Sequence, residues 1–254
     1  MRVVSHTCSN TEIVCALDCG AQLVGVDADS DFPPDAVAPL PKLGRDLDLD
    51  VDAVRALRPD LVLTSLTVPG HERVVEALRA AGLPILVVDP IGLEGVYDSI
   101  IQVAGALGVL ARGRALVARM QAAMPAVCRD PASRVLVEWW PKPVIVPARD
   151  SWVNDLLRLA GGVNPFAHAP GKSVEVGDEA ARTAAPDAIV MSWCGVKEEN
   201  YRPAVVARRP GWEQVPAVRD GRIYAVTEAF LGRPGPRLVE GYRALRRIVE
   251  NPGR

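Results

Sequence analysis

Apolar positions in this chain follow two alternating rhythms: short unbroken runs, and longer stretches where they return every three or four residues. Val3-Val4-Ser5, Leu23–Val26, Leu61–Ser65, Ile85–Val88, Arg134–Glu138, Ile189–Ser192 and Arg222–Val226 are runs of the first kind. Continuous rather than alternating apolarity predicts strands covered on both faces, as in a parallel sheet. Helical periods lie between them. Ser9 with Glu12 three positions later predicts a capping box that opens a helix through Leu17 and stops at Gly20. His71–Ala81 carries Val74, Val75 and Leu78 on one face and meets a stop at Gly82. Further helices are predicted at Leu93–Leu107, at Val109–Val127 after a break near Gly108, and at Trp152–Leu159 before Gly161-Gly162. The last, Arg237–Val249, follows Pro234 and Pro236, which cost little at a helix start. Strands alternating with helices define an α/β class.

One unit occurs twice. Arg58-Pro59-Asp60-Leu61-Val62-Leu63-Thr64-Ser65 returns as Ala185-Pro186-Asp187-Ala188-Ile189-Val190-Met191-Ser192, each copy running from a helix through Pro-Asp into a strand. The repeat predicts two similar lobes with mostly parallel central sheets: 1–108, then 129–254, joined by one long helix over 109–128. At 1.5 Å per residue its helical pattern, Val109–Val127, spans roughly 28 Å. A ligand is expected in the cleft that facing lobes create.

Composition narrows the partners. The formal charge is −2 over 254 residues, with Lys and Arg scattered, which excludes a nucleic-acid surface. The sequence predicts no membrane insertion, because no apolar stretch reaches about 18 residues. Met1-Arg2 leads directly into a strand without a signal-like apolar segment, and the five cysteines are odd in number. Both features predict a cytoplasmic chain, the alternative being an exported one whose signal was removed.

Several segments together resemble the substrate-binding proteins of ABC importers for cobalamin and ferric siderophores, the type whose lobes are joined by a rigid helix. They are Arg2–Ser5 with Ser9–Glu12, Leu23–Val26, Asp31-Phe32-Pro33-Pro34, Ala56–Leu63, Leu159–Asn164, Arg209–Trp212, Pro216–Tyr224 and Arg233–Val239. Ser192-Trp193-Cys194-Gly195 is similar to a cobalamin-binding branch that lacks signal peptides. The resemblance implies a monomeric, non-enzymatic protein that binds a small macrocycle or metal chelate and docks on an ABC permease. Its carboxylate in each lobe falls on Glu72 and, more loosely, on Glu198 or Glu199; Glu72 and Glu199 stand twelve residues after Asp60 and Asp187.

Candidate ligand contacts follow the strand ends, where a parallel sheet opens its crevice. Ser5, His6 and Thr7 leave the first strand; Phe32 and Leu66 follow the second and third. Trp139 and Trp140 end the first strand of the second lobe and point opposite ways, so at most one lines the cleft. Trp152, Trp193, Cys194, Phe230 and Arg233 complete the set. Aromatic walls suit a flat apolar ligand with a polar rim, such as a cobalamin. The same tryptophans are equally placed to form core, and His6 is either a ligand to a bound metal centre or a plain hydrogen-bonding residue. No histidine has a partner at metal spacing, so no cofactor held by protein side chains is expected. Two other functions share the sequence evidence: a cytosolic corrinoid or metal-chelate sensor, and an enzyme using Cys194 or Cys8 as nucleophile. Neither a Cys/His pair nor a phosphate-cradling loop supports the enzyme.

Overall fold

Val3–Ser5 (β1) lies inside a sheet with Leu23–Val26 (β2), Leu61–Ser65 (β3) and Ile85–Val88 (β4), in the order β2-β1-β3-β4. Every pair is parallel. A second sheet combines Ser133–Glu138 (β5), Gly162–Val163 (β6), Ala188–Met191 (β7) and Ile223–Ala225 (β8), in the order β6-β5-β7-β8, again all parallel. The two orders are the same permutation of successive strands, so the internal repeat seen in the sequence extends to topology. The computed structural model describes residues 1–251. It divides into two units: Met1–Pro90 with Gly95–Met120, and Ile91–Glu94 with Gln121–Arg254, of which 252–254 lie outside the described residues.

Each unit has its own core. In the first, Val4, Leu43, Val54, Val62, Val74 and Leu78 pack together. In the second, Leu136, Val146, Ile189, Met191, Val206 and Trp212 do so. The helix Trp152–Ala160 shows how sequence dictates one such layer. Ser151 accepts a hydrogen bond from the Val153 N–H at its start, and Gly161 takes φ +85° at its stop. Between these caps Trp152, Val153, Leu156, Leu157 and Ala160 are buried, on the stripe that packs against helix Leu238–Glu250.

The repeated Pro-Asp corner is built identically in both units. The Arg2 N–H donates to the Asp60 carboxylate at 2.6 Å and the Asp60 N–H returns to the Arg2 carbonyl at 2.8 Å. Arg134 and Asp187 repeat this at 2.7 and 2.8 Å. The residues before the prolines, Arg58 and Ala185, take φ +46° and +43°, the left-handed turn that closes the helices Val51–Ala56 and Asp178–Thr183.

Three expectations are revised. The helix after β1 begins at Cys8, with Thr7 at its N-cap and no side-chain cap, so Ser9 and Glu12 form no capping box. The expected helix over 109–128 runs only over Leu110–Ala123, 14 residues or roughly 21 Å. Pro125 ends it by excluding the helical conformation from the residue before. Third, a three-stranded antiparallel sheet of Ser173–Val176, Val144–Pro147 and Trp140–Pro141 was not anticipated. Pro141, Pro143 and Pro147 punctuate its segments and mask the strand pattern.

Candidate functional site

Loops at the C-terminal edges of the two sheets carry the candidate residues. In the first unit, Ser5, His6 and Thr7 leave β1 and are all buried. The Thr7 backbone at φ +82° is unusual for a β-branched residue. Thr11 donates to the Ser5 hydroxyl at 2.9 Å and contacts the Ser30 hydroxyl at 2.8 Å, and Ser30 donates to Asp27. Burial raises the Asp27 carboxyl to about 6. The His6 ring is fully engaged: Nδ1 lies 2.7 Å from the Thr64 hydroxyl and Nε2 2.6 Å from the Asp46 carbonyl. Burial, the largest cause, lowers its pKa to about 4. His6 is therefore neutral at pH 7, with both nitrogens committed inside the protein.

Apolar side chains crown this edge. Phe32, Leu47 and Val68 are 40 %, 43 % and 39 % exposed, whereas Leu66 is half-buried. They occupy the loops after β2 and β3 and the hairpin of Gly44–Arg45 with Asp48–Leu49. Water-exposed groups of this size are where an apolar ligand gains contact area. Glu72 lies exposed on the first turn of helix His71–Ala80.

In the second unit the tryptophans divide. Trp139, Trp152 and Trp193 are buried, and Trp140 is 40 % exposed. The Trp152 indole N–H donates to the Leu231 carbonyl at 2.7 Å. Trp193 points toward the buried Glu138 carboxylate at 3.4 Å and stacks at a tilt on Tyr201, 5.4 Å between rings. Burial pushes Tyr201 up to about 12, and its hydroxyl donates to the Trp193 carbonyl. Glu138 is held by both guanidinium nitrogens of Arg209, which also lies over the Trp212 ring at 4.7 Å. Burial nevertheless raises the Glu138 carboxyl, opposed by the Arg209 charge.

Trp140 projects from the short strand beside this cluster, its indole N–H on the Lys142 carbonyl at 3.0 Å. Cys194 is exposed after β7, with its N–H on the Trp139 carbonyl at 3.0 Å. Phe230 and Arg233 are half-buried after β8; Arg237 covers Phe230 at 5.7 Å, and Arg233 pairs with Glu228 at 3.1 Å. Glu199 is exposed on the turn Glu198–Asn200.

The structure thus brings together Ser5, His6 and Thr7 with Leu66 at one edge, and Trp139, Trp193 and Cys194 at the other. Leu47, Val68, His71, Glu138 and Arg209 escaped sequence reasoning. None of them carried a local sequence signal, since their roles come from partners far along the chain. A surface groove of about 670 Å³ in the second unit is lined by Pro165, Phe166, His168 and Glu179 and includes none of the candidates. Among the described residues no group of His, Cys, Asp or Glu is arranged to hold a metal ion.

Paired parallel-sheet units of the same strand order, with the candidate loops at their strand ends, define a two-lobed α/β architecture. The chain belongs to the periplasmic binding protein family, whose model matches residues 3–229. It is 32 % identical over 254 residues to an uncharacterized ABC transporter substrate-binding lipoprotein, YvrC, of Bacillus subtilis (strain 168), covering 96 % of this chain and 78 % of that one. It is 24 % identical over 244 residues to the vitamin B12-binding protein of Vibrio parahaemolyticus, covering 93 % and 84 %. Among solved structures, the apo periplasmic heme-binding protein RhuT from Roseiflexus sp. RS-1 matches with a TM-score of 0.84 and 28 % identity, covering 100 % and 99 %.

These relatives overturn the expected cytoplasmic location: the family is periplasmic and one relative is a lipoprotein, which places such proteins outside the cytoplasmic membrane. The odd cysteine count misled because disulfides are needed mainly where a core is too small. Here each unit buries a core of its own.

Proposed function

We propose that this chain is the non-catalytic capture component of an ABC importer for a metal-bearing, tetrapyrrole-like macrocycle, a haem or a corrinoid. The observation that carries this reading is the set of exposed apolar side chains at the strand ends: Phe32, Leu47 and Val68 in the first unit, Trp140 in the second. A macrocycle's flat apolar body gains dispersion and burial on such groups. The vitamin B12-binding relative and the heme-binding structure support the ligand class. Glu72 and Glu199, both exposed, are the proposed permease contacts. A cytosolic sensor is not favoured, given the exported relatives.

The test is an absorption and tryptophan-fluorescence titration with hemin, cyanocobalamin and a ferric hydroxamate. Saturable one-to-one binding of hemin or cyanocobalamin is expected, with Kd of about 1 μM or tighter. Glu72→Lys and Glu199→Lys should leave that affinity unchanged while lowering permease-dependent uptake. Flat titrations with both hemin and cyanocobalamin, whether or not the ferric hydroxamate binds, would remove the proposal.

A further inference from the structure

Two buried histidines converge on one aspartate at the tip of a short hairpin. Gly44–Arg45 pairs with Asp48–Leu49, so the chain turns at Asp46-Leu47. The approach to the hairpin runs beside the end of β2: the Leu43 N–H donates to the Val26 carbonyl at 2.9 Å and the Ala28 N–H to Gly44 at 2.7 Å. The tip reaches the end of β1, where His6 Nε2 is 2.6 Å from the Asp46 carbonyl. A carbonyl only accepts, so His6 carries its proton on Nε2, and Nδ1 accepts from the Thr64 hydroxyl. At His71 the Val68 N–H points at Nδ1 from 3.4 Å, which leaves the proton on Nε2, 3.6 Å from the Asp46 carboxylate. Both rings are fully buried and meet edge to face, 5.2 Å apart.

Beside Asp46, Leu47 is 43 % exposed. Its Cδ2 lies close to Gly70, in the loop that also carries Val68. We propose that His6 and His71 are positioning residues: acting through Asp46, they seat the hairpin and so hold Leu47 beside Val68 as a ligand-contacting surface. The role of Leu47 rests on the binding function proposed above; the seat itself is testable without ligand.

With the hairpin seated, burial disfavours a second proton on His6 and His71 adds to this; the Asp46 carbonyl bond and carboxylate oppose it, but burial prevails. Unseating exposes the ring and restores ordinary basicity, so acid favours the open form. That bias is absent above the ordinary value of 6.5 and grows as pH falls toward about 4. Charged groups near the cluster include Asp46 itself, Asp27 and Asp29 from the loop after β2, Arg45, paired with Asp29 at 3.5 Å, and, from the helix of His71, Arg73, which approaches Gly70 as Leu47 does. Asp46 is held below the usual carboxylate range, chiefly by His71, and stays ionised throughout. Asp27, raised by burial, opposes the histidine if uncovered with the hairpin.

The experiment is amide hydrogen exchange of the apo protein, following residues 43–50 after correction for intrinsic rates. Wild type, Asp27→Asn, His71→Gln and, at the less buried tip, Asp46→Asn are compared at about pH 7.5 and about pH 5, where protection of this segment should fall about tenfold in wild type or Asp27→Asn. β3 should keep its protection. His71→Gln, or Asp46→Asn should the former not fold, should show weakened protection already at the higher pH, with hemin or cyanocobalamin affinity falling in step. Equal protection at both pH values in wild type and Asp27→Asn, loss only together with β3, or wild-type exchange in the folded variants overturns the seat. A segment that opens as expected in a protein binding neither macrocycle keeps the seat and overturns the ligand role of Leu47.

Discussion

Trp140 and Trp152 show how burial divides chemically identical residues between binding and stability. Trp152 is buried with its indole N–H bonded to Leu231, so truncation leaves a cavity and an orphaned carbonyl. Trp152→Ala should cost about 3–5 kcal/mol of unfolding free energy. Trp140 faces water and is expected to stack on ligand. Trp140→Ala should weaken macrocycle binding about tenfold, or roughly 1.4 kcal/mol, with little change in stability. Denaturant unfolding and titration of both variants check this; equal loss of stability, or unchanged affinity in Trp140→Ala, contradicts the division. The sequence put Trp139, Trp140, Trp152 and Trp193 on strand ends or loops and allowed at most one of Trp139 and Trp140 to be exposed, but it left the depth of Trp152 and Trp193 open. Depth depends on partners such as Leu231, 79 residues away from Trp152. His6 and His71 met the same limit, since nothing in their spacing announces two rings 5.2 Å apart.

Elements were more legible where local chemistry settles them. The Pro-Asp corners, the Gly161 stop and the unbroken apolar strands follow from backbone preferences that operate within a few residues. The hairpin 44–49 and the antiparallel sheet around Trp140 were not legible, because their strands are short and interrupted by Pro or Gly. The duplicated corner makes a matched prediction. Asp60→Ala and Asp187→Ala each remove one carboxylate bond to the N–H that starts a strand. Each should cost about 1 kcal/mol, and Tm should fall by roughly 2–4 °C in either variant. Calorimetry that finds one variant neutral and the other severely unstable would show that the repeat is not energetically equivalent.

At the scale of the whole molecule, a doubled sheet plan offers the same feature twice: strand ends whose following loops are free to vary while the cores hold them in place. The sequence therefore disclosed the family and the doubled sheet plan, whereas ligand identity depends on side chains assembled from distant segments. The 670 Å³ groove beside His168 is the rival location on the second unit. Hydrogen exchange with and without saturating hemin or cyanocobalamin distinguishes the two. The account predicts new protection in residues 27–34, 44–49, 66–70, 139–142, 192–196 and 226–233. Protection confined to 165–184, or none at all at saturation, would contradict it.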